Sequence, residues 1–297
     1  MLASVKSLLS SIVDYAGLFP PAKLGIREAL RKYAQHQLSA DTWMLNHFVL
    51  PISRLDEFVA LLPEFSLRRC SLSLILSTDL QGAIAQSLTE QFTYVRSLNI
   101  LNTSVAAVEF PPISPKEIAQ ILPILSSDIE LFFEIPLSAN LESYLVVLQQ
   151  TGAAAKVRTG GITMDAFPTA LQLSQFILSC AKAHIPFKAT AGLHHALPSS
   201  YPITYEPNSC SACMHGFLNV AILSTLACQQ KIALEEAQTV LQDRSISNFD
   251  FTDDGVTWQG HQLKLADIDA VRRRFFRSFG SCSFQEPIDA LKELNLL

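Results

Sequence analysis

The feature that most limits what this chain can fold into is a pattern of eight short apolar runs separated by amphipathic stretches. The runs fall at residues 12–16, 43–50, 70–77, 105–110, 129–135, 154–159, 186–191 and 278–283. Helix-like stretches follow at 26–37, 53–62, 80–98, 115–125, 141–150, 168–183 and 286–294. Strand–helix alternation implies a parallel sheet, because a parallel neighbour is reached only through a long crossover. The runs are apolar throughout rather than at every second residue, which fits strands covered on both faces. Eight such strands predict an α/β fold, a closed (β/α)8 TIM barrel formed as one domain by all 297 residues.

Local signals agree. Ser114-Pro115-Lys116-Glu117 reads as a capped helix start. Asn140 precedes the 141–150 stretch and Gly152 follows it. Pro111-Pro112, Pro136 and Gly160-Gly161 mark loops after strands. The seventh unit is oversized. Residues 193–262 are expected to form a lid or oligomer arm inside the domain, since a long excursion after a strand sits at the C-terminal mouth of a barrel. Within and beyond it, the pattern predicts a loop at 195–208, helices at 215–230 and 233–242, a hairpin turning at Asp253-Asp254-Gly255 and a helix at 266–277. Phe275-Phe276 reads there as an apolar helix face.

Hydrophobic residues make up 49% of the chain and charged residues 16%, against about 25% charged in an average domain, which excludes a disordered chain. The net charge is -5 and the one basic cluster, Arg272-Arg273-Arg274 with Arg277, is short, so no nucleic-acid partner is expected. No uninterrupted apolar stretch has the length of a membrane span, and the start lacks the pattern of a signal peptide. Six scattered cysteines fit reduced thiols, so a cytoplasmic protein is expected. No dinucleotide, phosphate-loop or hydrolase motif occurs, and no cofactor is expected.

A chain so poor in charge nonetheless puts charges inside its apolar runs: Glu109, Glu134, Lys156, Arg158 and Lys188. The outer face of a barrel strand packs on helices, where a charge is costly, so these side chains are expected inside the mouth, paired with one another. A satisfied ion network that fixes barrel register would read the same way. The chemical reading starts from the two lysines. A second cation and desolvation lower the pKa of an amine, and a free amine attacks a carbonyl to form a Schiff base. Glu109 or Glu134 would then move protons, with His194 assisting.

The string Lys156-Val-Arg-Thr-Gly160, followed by Lys188-Ala-Thr-Ala-Gly192, resembles the sixth and seventh strands of deoxyribose-phosphate aldolase. The resemblance implies a class I aldolase barrel with Lys156 as the Schiff-base nucleophile and Lys188 as the neighbour that lowers its pKa. Arg158 stands where that family has a small residue, Ala191-Gly192 replaces a double glycine, and Glu109 is the nearest match to the family's fourth-strand Asp. Strings at 14–21, 214–219 and 279–284 are similar to those of a widespread bacterial family of unassigned activity.

Arg158 is positioned to clamp a carboxylate, so the expected ligand is a small-molecule anionic substrate. Thr159-Gly160, Gly192 and Gly280-Ser281 are candidates for contacting it through backbone N–H groups, as glycines that merely make tight turns would also do. Asp14, with Tyr15, ends the first strand at the mouth, and His215 begins a helix nearby. His194, His195, Cys210, Cys213 and His215 have spacings that also suit a metal, although none is assigned. His47 is expected to face a helix if Asn46 points inward. The leading expectation is a lyase on a small anionic carbonyl compound. A metal-assisted barrel enzyme and a non-catalytic anion-binding barrel are the alternatives, and a homodimer fits either.

Overall fold

The computed structural model describes every residue except 79–83, 101, 126–127, 138–139, 150 and 231. The start of the helix expected at 80–98 and the end of that expected at 141–150 therefore lie outside the described residues. From the N-terminus the chain forms α1 (Ala3–Leu9), β1 (Val13–Tyr15), α2 (Ile26–Leu38), β2 (Leu45–Pro51), α3 (Leu55–Leu61) and β3 (Cys70–Ile75). It continues through α4 (Ile84–Ser97), β4 (Thr103–Phe110), α5 (Pro115–Ile121), β5 (Glu130–Glu134), α6 (Leu141–Leu148), β6 (Ala154–Arg158), α7 (Ala170–Ala183) and β7 (Phe187–Thr190). Then come β8 (Ser199–Pro202), β9 (Ser211–Met214), α8 (Phe217–Cys228), α9 (Leu234–Gln242), β10 (Phe249–Phe251), β11 (Gly255–Trp258) and β12 (His261–Lys264). The chain ends with α10 (Leu265–Arg274), β13 (Phe276–Ser281) and α11 (Gln285–Glu293).

The eight apolar runs become the eight strands of a closed parallel barrel, in the order β1-β13-β7-β6-β5-β4-β3-β2. Their outer faces carry the main core. Phe110 of β4 stacks on Phe133 of β5 with centroids 4.3 Å apart, and Phe187 of β7 meets Phe176 of α7 at 5.6 Å. Burial of these rings outside the sheet, and of Phe132 inside it, explains why the runs lack alternation. The start of α5 is capped as its sequence suggests: Glu117 N–H donates to Ser114 Oγ at 3.3 Å, and Glu117 returns a bond to the Ser114 N–H. Asn140 occupies the N-cap of α6, but its side chain makes no capping bond.

Three local expectations change. The helix expected to 277 ends at Arg274, and Phe276 begins β13, where its ring stacks on Phe187 at 5.0 Å. Packing against a neighbouring strand there overrides the helical pattern. The loop expected at 195–208 contains β8, which pairs antiparallel with β9. The hairpin β10–β11 gains a third strand, β12.

The 193–262 excursion divides between two places. Its β8–β9 hairpin stands at the mouth, where Tyr201 and Met214 share a cavity wall with Ala191 and His194. Helix α8 instead belongs to the barrel wall. Phe217 stacks on Phe279 of β13 at 5.3 Å, and every residue from Phe217 to Ala227 is buried. A helix apolar on all sides needs neighbours on all sides. Among the described residues, no helix is long and apolar enough to cross a membrane.

Candidate active site

The period of two along a strand sorts the inward residues into levels. Ala107, Phe132 and Ala154 form a small apolar cluster of their own, apart from the main core. One step further toward the C-terminal ends, the same faces carry Glu109, Glu134 and Lys156. Glu134, Lys156 and Lys188 stand level on β5, β6 and β7, through the register Glu134↔Lys156↔Lys188. Lys188 Nζ lies 5.1 Å from the centroid of Phe132 below it. The lower level is thus an apolar plug and the upper level is ionic.

The ions form one chain. Arg158 Nε donates to Glu134 at 3.1 Å. Lys156 Nζ pairs with Glu134 at 2.9 Å and with Glu109 at 3.2 Å. Lys188 Nζ donates to the other Glu109 oxygen at 2.7 Å and to Asp14. Ser73 Oγ donates to Glu109 at 2.7 Å; Ser278 Oγ at 2.6 Å and Asn46 Nδ2 at 2.8 Å donate to Asp14. Three carboxylates therefore face three cations, and both lysine nitrogens touch the same carboxylate.

Burial and pairing act in opposite directions here. Burial alone would raise the Glu109 carboxyl, but the ammonium groups of Lys188 and Lys156 hold it below the usual carboxylate range. Asp14 and Glu134 are lowered against burial in the same way, by Lys188 and by Lys156 with Arg158. Burial would depress Lys188, yet Asp14 and Glu109 carry it above the ordinary lysine value. Lys188 is therefore a fixed cation whose charge is already matched by two acids.

Above this network a cavity of about 340 Å³ opens at the mouth. Its walls include Glu109, Glu134, Lys156, Arg158, Lys188 and His194, with Gly280 beside them. Of these charged and polar walls only Arg158 is well exposed, at 52% of its side chain. Asp14 lies below, outside the cavity wall, where it anchors Lys188. Tyr15 points the other way and packs on Tyr33 and Phe48. Thr159 is buried, and its hydroxyl donates to the Ala191 carbonyl. Gly160 and Gly192 bring two loops together: a Cβ on Gly160 would stand 2.6 Å from the Gly192 Cα. Ser281 Oγ bonds His194 Nδ1 at 3.0 Å, and Glu286 reaches the same nitrogen at 3.1 Å. His215 is buried with Nε2 bonded to the Pro168 carbonyl at 2.8 Å and is not a wall residue.

Among the described residues, no group of three His, Cys, Asp or Glu is arranged to hold a metal ion. Cys210 and Cys213 are exposed, and the His195 ring stacks on Tyr201 at 3.4 Å. Burial, with His194 nearby, pushes His195 down to about 4. His47 bonds Ser71 Oγ through Nδ1 at 2.8 Å and donates its backbone N–H to Asp14. Ser73, Ser278 and Glu286 were not singled out by sequence. The two serines sit at the inward period of their strands, a readable signal. Glu286 lies on the terminal helix and has none.

Comparison with known proteins finds no matching family model, no matching curated protein and no matching solved structure.

Proposed function

We propose that this barrel is a lyase of the class I aldolase type, forming a Schiff base between Lys156 and a small anionic carbonyl compound. The observation that carries the reading is the pair of lysines on neighbouring strands, bridged by Glu109 at the floor of the mouth cavity. The likeness of the 156–160 and 188–192 strings to deoxyribose-phosphate aldolase supports it.

In the resting site Glu134 accepts from both Lys156 and Arg158. A substrate carboxylate or phosphate that engages Arg158 competes for that guanidinium. Glu134 then loses one of its stabilising cations and becomes the stronger base for the Lys156 proton, 2.9 Å away. The neutral amine adds to the substrate carbonyl, and water leaves from the carbinolamine with a proton returned by Glu134 or Glu109. In a substrate with a hydroxyl on the β carbon, the iminium draws electrons from the bond between the α and β carbons. That bond breaks as the hydroxyl gives up its proton to a nearby base, leaving an enamine and a second carbonyl product. His194, held by Ser281 and Glu286, is placed at the wall to protonate or deprotonate the departing fragment. Proton return to the enamine and hydrolysis free Lys156. Asp14 and Glu109 keep Lys188 protonated, so its fixed charge sets the field without competing as nucleophile.

The test is borohydride reduction during incubation with a panel of aldehydes and 2-oxo acids, read by intact mass and peptide mapping. One adduct on Lys156, absent from Lys156→Ala, is expected. A folded protein that gives no adduct across the panel, or adducts only on exposed lysines, overturns the proposal.

A further inference from the structure

The mouth cavity has a neighbour. A second chamber of about 310 Å³ lies between the barrel mouth and the β8–β9 hairpin. The two chambers share Pro20, Gly161, Ala191 and His194 as walls. Each alone is at the lower end of the size of small-molecule sites, roughly 300–1,000 Å³. Together they exceed what a short-chain acid held at Lys156 and Arg158 would occupy.

The chambers differ in chemistry. The inner one sets three cations, Lys156, Lys188 and Arg158, against two acids, Glu109 and Glu134. The outer one is walled by Phe167, Tyr201, Ile203, Tyr205 and Met214, with the acids Glu206 and Glu286 and the histidines His194 and His195, and no Lys or Arg among the described residues that line it. An anionic distal group would meet two carboxylates there. A neutral ring or branched chain would meet aromatic faces, a branched aliphatic and a thioether, which pack well against apolar carbon.

The shared wall is also where the backbone is held under constraint. Ala191 has φ of 60° and Gly192 has φ of 78°, two successive residues in the left-handed region. That conformation costs an alanine roughly 1 kcal/mol, and the Thr159 hydroxyl bonded to the Ala191 carbonyl helps to hold it. Such turns persist where the surrounding structure fixes them, commonly beside a ligand.

We infer that the site takes a carbonyl acid with an aromatic or branched apolar tail. The acid group lies on Arg158, the carbonyl lies over Lys156, and the tail passes His194 and Ala191 into the outer chamber. The placement of the head rests on the proposed Schiff-base reading; that of the tail does not.

Carboxylic acids without a carbonyl separate the two. Calorimetry compares butanoate, 4-phenylbutanoate and 6-phenylhexanoate, none of which can form an imine. At least one aryl acid is expected to bind roughly tenfold tighter than butanoate or better, a modest return for burying a phenyl ring. Met214→Trp, which fills the outer chamber, removes that gain and leaves butanoate affinity within about twofold. Tyr205→Ala, on the exposed hairpin, reduces the gain by opening the wall and guards against a misfolded Met214 variant. Aryl acids that bind no tighter than butanoate overturn the inference, as does a gain that survives both substitutions. If the aryl acids bind as expected but an aryl 2-oxo acid gives no borohydride adduct, the amine chemistry fails and the tail subsite stands.

Discussion

Replacing Lys188 with Met removes one ammonium and keeps most of the side-chain volume. Lys188 is 1% exposed, and its partners Asp14 and Glu109 are 0% and 1% exposed, so solvent replaces little of the lost charge. Breaking a buried pair from one side costs about 3–5 kcal/mol. At about 2 °C per kcal/mol for a chain of this size, that is ~6–10 °C in Tm. The loss must also depend on pH, and the sign is fixed by the direction of the shifts. In the wild type both carboxyls are held below their ordinary values, against burial, by Lys188. Their contribution is present above the unfolded pKa near ~4 and disappears only as pH falls through the lower folded values. In Lys188→Met the burial remains and the main compensating cation is gone, so at least one carboxyl moves above its unfolded pKa. The penalty is then absent at low pH and grows as pH rises through the raised value. Urea unfolding of both proteins from pH 4 to pH 8 measures the gap between them. A gap that is already present at pH 4 and widens by about 2 kcal/mol or more toward pH 8 is expected, roughly one and a half pKa units of displacement. A gap equal at every pH refutes the electrostatic account and leaves packing alone. A gap below about 1 kcal/mol at pH 8 refutes the claim that the three groups are buried together.

Two further substitutions probe the rim. Gly192→Ala places a methyl 2.4 Å from the Thr159 carbonyl oxygen at a φ of 78°, so strain and collision add; a loss of about 2 kcal/mol or more is expected in thermal unfolding. Arg158→Met removes a half-exposed cation, so Tm should move by less than about 2 °C. Adduct formation with a 2-oxo acid should slow by about tenfold or more relative to a neutral aldehyde of the same length, since a charge-assisted bond is lost only for the acid. Equal slowing of both substrates would place Arg158 outside anion recognition.

The strands were readable because each carries its own local signal, a run too apolar for a surface and too short for a long helix. The inward direction of Glu109, Glu134, Lys156 and Lys188 was readable from cost: a charge facing the helices has no partner. What sequence could not supply was the pairing. Lys188 was expected to tune Lys156 by its charge, and the structure puts Glu109 between them and Asp14 behind. Asp14 is separated from Lys188 by 174 positions in sequence, and only barrel closure between β1 and β13 brings it near. The 193–262 excursion was harder still. A continuously apolar helix such as α8 reads the same whether it caps the mouth or fills the wall, and only its neighbour Phe279 decides. The β8 strand, with Ser199, Ser200 and Pro202, lacks apolar alternation and draws its order from pairing with β9.

The ionic level is itself an argument about purpose. Barrel interiors of this fold are ordinarily filled with branched aliphatic side chains in layers. Here Phe132 and two alanines form the one small apolar cluster described inside the barrel, and the next level is given to carboxylates and ammonium groups. Well-packed hydrophobic residues would serve stability as well or better, because desolvating buried ions offsets much of their attraction. Fixing register needs one buried pair, whereas this barrel keeps a connected run from Asp14 to Arg158. The run also ends at an exposed guanidinium on a cavity wall instead of closing on itself. A network built only to hold strands has no reason to open onto a cavity at one end. The proposed reaction, in which an arriving anion sets a proton moving, requires such an opening, and Glu134, shared by the buried Lys156 and the exposed Arg158, is the residue that joins the two ends of the run.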